Sequence, residues 1–264
     1  MKLFALIAGG LVASSALAQV GSGGTAINGT ATFNLADNLG DATGNGPLSS
    51  FSVGGPGNPD HLFQSWWWYR SGNDARESQF NNATSWDWSN PGSARLNFST
   101  AEFDAVMVFT VNGFADGFGE LTQTLTVFNT TDHAISVNLF NYQDVDLAGS
   151  FANDSAVLNS GNVIRVTDAA TGWVANYEGT NAFAVSGFAG IRDTLANGAV
   201  DNFGNTGLPF GPGDFTGGFQ WAFNLDQGGA STASATLTVT NIPTPGALAL
   251  ASFGGLLAMR RRTR

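Results

Sequence analysis

Polar and apolar residues alternate along most of the chain, which is the pattern of β-strands with one buried face. The clearest run is 121–127, which has leucine and valine on one face and threonines on the other. Residues 134–140 repeat the alternation after a turn at Thr130 to Asp132, so we expect the two runs to form a hairpin. Helical periodicity is nearly absent, and only Gly190 to Gly198 is suited to a short helix.

Further strand patterns occur at 103–111, 163–167, 173–177, 218–225 and 233–240, and the most loop-like part is Gly40 to Pro59. The run at 103–111 is almost continuously apolar, which is typical of a strand covered on both faces. This number of strands without recurring helices predicts an all-β fold, an antiparallel two-sheet sandwich of jelly-roll type. A closed barrel is the alternative.

The first residues have the organisation of a secretory signal peptide. Met1 and Lys2 precede an apolar stretch from Leu3 to Val12, and Ala16 and Ala18 form a small-x-small cleavage site before Gln19. This predicts a signal peptide at 1–18, handled by the Sec system and signal peptidase. An uncleaved anchor is the alternative, but the apolar stretch is short for a membrane span.

The last residues have three parts in order: Pro243-Thr244-Pro245-Gly246, an apolar run to Met259, and the basic residues Arg260, Arg261, Arg262 and Arg264. A helix of this run reaches about 21 Å, short of the roughly 30 Å of a bilayer core. It is apolar on all sides, which disfavours the alternative of a helix docked on the body. We therefore expect a C-terminal apolar sorting helix at 243–264 with transient membrane contact, and a single body at 19–242.

This tripartite tail resembles the PEP-CTERM sorting signal of exported bacterial proteins, with Thr244 where the family has glutamate. The resemblance implies that an exosortase-like enzyme in the inner membrane recognises and processes the tail. It therefore implies a protein of the cell envelope, the cell surface or the extracellular matrix.

The charge of the body excludes one large class of partner. All 20 acidic residues lie between Asp37 and Asp226, whereas the body holds five arginines and no lysine. Such a negative field repels phosphate backbones, so the chain is not expected to bind nucleic acid. It is compatible with the recruitment of divalent cations.

An aromatic stretch, Trp66-Trp67-Trp68-Tyr69-Arg70, is the densest in the chain. In a strand, Trp66 and Trp68 share one face while Trp67 and Tyr69 share the other. An exposed face would suit stacking on the sugar rings of an extracellular polysaccharide. The alternative, which we favour, is a strand buried between two layers and capped by Arg70.

A second group of residues has the chemistry of a metal site. Asp144 and Asp146 lie two residues apart, so both carboxylates point to one side of a strand, and a following loop would bring Asp154 to them. Three carboxylates are hard oxygen ligands for calcium. The spacing lacks the glycine and glutamate of an EF-hand, so a solvated strand end is the alternative.

No catalytic motif is recognisable. His61 and His133 belong to no zinc or triad spacing. A glycosidase would need two facing carboxylates, and no spacing in the sequence indicates which two of the four glutamates could face each other: Glu77, Glu102, Glu120 and Glu178. The sequence therefore favours a non-catalytic surface or matrix protein rather than an enzyme. A lectin-like carbohydrate-binding module, with or without calcium, is the first alternative, and a polysaccharide-active enzyme is the second.

Overall fold

The computed structural model describes residues 22–37, 46–55 and 57–241. The predicted signal peptide and the predicted sorting segment lie outside these residues. Within the described ranges, no helix has both the length and the apolar character needed to cross a bilayer.

Strands make up most of the described chain, together with one short α-helix and one 3₁₀ turn. In chain order the elements are β1 (Gly24–Asn28), β2 (Ala31–Leu35), β3 (Ser49–Val53), β4 (Gln64–Ser71), β5 (Ser78–Gln79), β6 (Ser85–Asp87), β7 (Ser93–Ser99), β8 (Phe103–Ala115), β9 (Phe118–Asn129), β10 (Ile135–Val145), the 3₁₀ turn Leu147–Gly149, β11 (Asp154–Ser160), β12 (Val163–Asp168), β13 (Trp173–Glu178), β14 (Ala182–Gly187), α1 (Gly190–Ala196), β15 (Phe210–Gly213), β16 (Phe215–Leu225) and β17 (Ala230–Asn241).

Two large antiparallel sheets form a sandwich. One has five strands in the order β14-β16-β10-β4-β5, and the other has nine in the order β15-β11-β12-β13-β17-β9-β8-β7-β6. A small sheet, β1-β2-β3, completes the described fold. The prediction of an all-β antiparallel sandwich is confirmed. Its nine-stranded sheet is larger than those of an eight-stranded jelly roll, and in it consecutive strands such as β6 to β9 are direct neighbours.

The core lies between the two large sheets, and strand β4 contributes its largest side chains. Trp66, Trp67 and Trp68 are at most 1% exposed. The indole Nε1 of Trp67 donates to Oε1 of Gln123 on β9 at 3.2 Å, and Nε2 of Gln123 donates to the hydroxyl of Ser65 on β4 at 2.6 Å. These buried polar contacts join the sheets across an otherwise apolar interior, where each needs its partner.

The expected hairpin between 121–127 and 134–140 is wrong. Strand β9 pairs with β8 and β17, whereas β10 pairs with β4 and β16, so the chain crosses from one sheet to the other between them. Asn129 fixes this crossing because its Nδ2 donates to the carbonyls of His133, Leu225 and Asp226. Alternation shows that each run has one buried face, but it does not identify the neighbouring strand.

Other local expectations have mixed outcomes. The helix expected in 190–198 is confirmed as α1, and 163–167 and 173–177 pair as β12 and β13. The segment Gly40 to Pro59, expected to be a loop, contains β3. The apolar run at 103–111 lies in β8, where alternate residues are only half-buried or exposed, so one face rather than two is buried in the core.

Candidate functional site

Three aspartates meet at one end of the five-stranded sheet. Strand β10 ends at Val145, which pairs with Phe215, the first residue of β16. The antiparallel register therefore places Asp146 beside Asp214, and Asp144 lies one pair inside the ladder, opposite Thr216. One carboxylate oxygen from each of Asp144, Asp146 and Asp214 lies within 4.8 Å of the other two.

A tight turn directly after β10 holds this arrangement. Ala148 and Gly149 have φ angles of 60° and 71°. His61 clamps the turn: its Nδ1 accepts from the amide of Ala148 at 3.1 Å, and its carbonyl accepts from the amide of Asp146 at 3.2 Å. Burial lowers the pKa of His61 to about 4, so the imidazole is neutral at pH 7 and can accept this bond.

Asp144 forms the deepest part of the group and is 1% exposed. Its Oδ2 accepts from the hydroxyl of Tyr142 at 3.1 Å, whereas its Oδ1 has no hydrogen-bond partner in the described part of the chain. Burial, followed by repulsion from Asp146 and Asp214, raises the pKa of Asp144 to about 8. The carboxyl is therefore poorly compensated where it lies.

The other two aspartates are half-buried and similarly uncompensated. Burial and the charges of Asp214 and Asp60 raise the pKa of Asp146 to about 6, and burial raises the pKa of Asp214. Oδ1 of each is buried without a hydrogen-bond partner among residues 22–37, 46–55 and 57–241. The group thus offers three acceptor oxygens that no described residue uses.

Aromatic side chains line the cleft above these carboxylates. Phe63, Phe151 and Phe188 are 41%, 65% and 60% exposed, and together with the three aspartates they line a volume of about 270 Å³. We call this site the acidic cleft. Arg192 on α1 lies beside it, with its guanidinium carbon 5.9 Å from the ring centre of Phe188 and Nη1 3.4 Å from Oε1 of Gln64.

The aromatic stretch of β4 is not at this cleft. Trp66, Trp67 and Trp68 are core residues, and the half-buried Tyr69 packs against Phe80 and Phe103. Arg70 is 7% exposed, pairs with Glu77, and donates to the carbonyl of Asp201 and to Oδ1 of Asn202. The alternative that these five residues stack on sugar rings is therefore wrong. The strand is buried between two layers, as the favoured alternative predicted, and it offers no face to a ligand.

The predicted calcium ligands are brought together only in part. Asp144 and Asp146 do meet, but the third member of the group is Asp214 rather than Asp154. Asp154 is fully buried at the start of β11, where it pairs with Asp168 and Gly213. No local pattern predicted Asp214, Arg192 or the three phenylalanines, because the pairing of β10 with β16, helix α1 and separate loops bring them to Asp144 from distant parts of the chain. A Gly-Asp pair directly before the aromatic run of β16 is the one local signal for Asp214.

No protein-family model and no curated protein sequence matches the chain. Solved structures do share its fold. A putative aldose 1-epimerase from Escherichia coli K12 has a TM-score of 0.50 at 11% identity, covering 83% of this chain and 99% of that protein. The Slr1438 protein of Synechocystis sp. PCC 6803 has a TM-score of 0.51 at 8% identity, with coverages of 83% and 96%.

A bacterial glucoamylase complexed with acarbose has a TM-score of 0.53 at 13% identity, and the match covers 90% of this chain but 34% of the glucoamylase. At these identities the similarity shows the fold. It nevertheless contradicts our expectation of a non-catalytic protein, because an aldose 1-epimerase and a glucoamylase are enzymes. The absence of a recognisable catalytic motif was therefore a poor basis for excluding activity, since functional residues on a shared fold need not be close in sequence.

Proposed function

We propose that the protein binds a saccharide in the acidic cleft and processes it there. The observation that carries this proposal is the combination, in one cleft, of exposed phenylalanine rings with buried carboxylate oxygens that have no partner in the described fold. Ligand sites typically combine an apolar lining with a few convergent polar groups in this way.

The two kinds of group suit the two kinds of surface on a sugar. Phe63, Phe151 and Phe188 offer ring faces to the apolar C–H side of a pyranose. The oxygens of Asp146 and Asp214 can accept hydrogen bonds from its hydroxyls, and Arg192 can donate to its oxygens. An apolar ligand would leave the carboxylates unpaired, and that cost favours a polyhydroxylated ligand.

The solved structures that share the fold support the same class of ligand, the saccharides. Two of the structures that share the fold are named as a putative aldose 1-epimerase and as a glucoamylase bound to acarbose. Processing, as distinct from binding, typically uses a pair of carboxyl groups in glycoside hydrolysis, and the cleft holds three carboxylates with one oxygen of each within 4.8 Å of the other two.

Replacing Phe188 with alanine is expected to weaken glycan binding about tenfold, because loss of one stacking ring removes about 1–1.5 kcal/mol. A glycan array with the full chain identifies the ligand, and titration of the best glycan gives the dissociation constants. Phe188 is 60% exposed, so the substitution should leave the melting temperature almost unchanged.

Phe114→Ala is the matched control, since Phe114 is 57% exposed at the tip of β8 and does not line the acidic cleft. Equal affinity of the parent and the Phe188→Ala chain would refute binding at the cleft. Product analysis of the best glycan after incubation tests processing, and Asp146→Asn should abolish any conversion that the parent shows.

We also propose that the protein is exported and sorted through its tail. The two terminal signals support this proposal, and the acidic, lysine-free body between them suits a secreted domain. Deleting residues 243–264 is expected to release the body into the medium, as measured by immunoblotting of envelope and medium fractions. An unchanged distribution between the two fractions would exclude sorting by the tail.

A further inference from the structure

We propose that Asp144, Asp146 and Asp214 form a binding site for one divalent cation of the calcium type. One oxygen of each carboxylate lies within 4.8 Å of the other two. Oxygens at such separations can all contact a single ion, because calcium–oxygen distances are about 2.3–2.6 Å.

The strongest sign of a missing ligand is Asp144. It is 1% exposed, yet its Oδ1 accepts no hydrogen bond from any described residue. An uncompensated buried carboxylate oxygen is costly, and folded proteins normally pair such groups or place them on a metal. Asp144 lines the acidic cleft together with Asp146 and Asp214, and each of the three has a buried Oδ1 without a partner among the described residues.

The electrostatic surroundings also favour a cation. Asp60 also interacts with Asp146, so further negative charge lies beside the group. Arg192 offsets only part of this charge, and its guanidinium is also engaged with Gln64 and Asp193. A dication would neutralise most of the charge of the three carboxylates at once.

The donor set and the fold select the kind of ion. The ligands are carboxylates alone, a set that suits hard ions such as calcium and magnesium rather than zinc or copper. Three protein ligands leave several coordination positions open towards the cleft, and calcium tolerates such irregular, partly hydrated spheres better than magnesium does. The register of β10 and β16 and the turn clamped by His61 hold the carboxylates in place without the ion.

Isothermal titration of the full chain with calcium chloride, after treatment with a chelator and without any glycan, tests the site. We expect one calcium ion per chain with a dissociation constant of about 10⁻⁵ to 10⁻³ M, and weaker binding of magnesium. Calcium should also raise the melting temperature, because the ion binds the folded state alone.

Asp214→Asn is expected to weaken calcium binding at least tenfold, since the number of charged ligands sets the affinity. Asp132→Asn is the matched control, because its side chain is 94% exposed in a turn between the sheets. Asp146→Asn is a second test if the first variant does not fold. Absence of calcium binding, or binding that both cleft variants retain in full, would overturn the proposal. The result is independent of whether the cleft binds a saccharide, which Phe188→Ala measures separately.

Discussion

Replacing Trp67 with alanine is expected to destabilise the protein by about 3–5 kcal/mol. The indole is fully buried between the two large sheets, and its ring centre lies 5.2 Å from that of Trp221. Truncation leaves a cavity that rigid strands on both sides cannot fill. It also removes the indole donor from Oε1 of Gln123, a buried acceptor that joins the sheets.

Urea denaturation at pH 7 measures this loss as a fall in the transition midpoint. Trp86→Ala is the control: Trp86 is 36% exposed in β6, the edge strand of the nine-stranded sheet, so it should cost far less. At low temperature the folded fraction of Trp67→Ala should bind glycans as the parent does. Loss of glycan binding without loss of stability would instead make the tryptophan strand the ligand surface.

The fold class was predictable because it depends on a local signal. Alternation in 121–127 and 233–240 marks strands with one buried face, and these residues do lie in β9 and β17. The partner of 121–127 was not predictable, because 134–140 has the same alternation and yet belongs to the other sheet. The crossing depends on long-range contacts of Asn129 that no local pattern encodes.

The candidate site likewise contains residues that were predictable from the sequence and residues that were not. Two of its aspartates were predictable, because Asp144 and Asp146 are neighbours in a strand-like run. Asp214 and the phenylalanines were not, since only the pairing of β10 with β16 and the positions of three separate loops bring them together. The aromatic stretch drew attention for its composition, but the same aromatic area that suits a sugar also suits a core, and composition alone does not decide between them.

The stability of the fold is expected to fall as the pH rises from about 4 to about 8, and Asp154→Asn is expected to remove part of this dependence. Burial raises the pKa of Asp154 from its ordinary value of 3.8 to about 8, and the charges of Asp146, Asp168 and Asp214 add to the effect, whereas the amide of Leu147 opposes it. Between these two pKa values the folded chain holds a proton that the unfolded chain has lost. Each unit of pH in this window therefore removes up to about 1.4 kcal/mol of stability.

Urea denaturation of the parent and the variant in the presence of a chelator, at several pH values from about 4 to about 9, isolates this contribution. An asparagine does not titrate, so the stability of Asp154→Asn relative to the parent should increase with pH through the window and become constant above it. Asp116→Asn, at an exposed position between β8 and β9, should follow the parent at every pH. A constant difference between Asp154→Asn and the parent would mean that Asp154 is ionised in the folded protein, and burial of that charge would then require a compensating group near the start of β11.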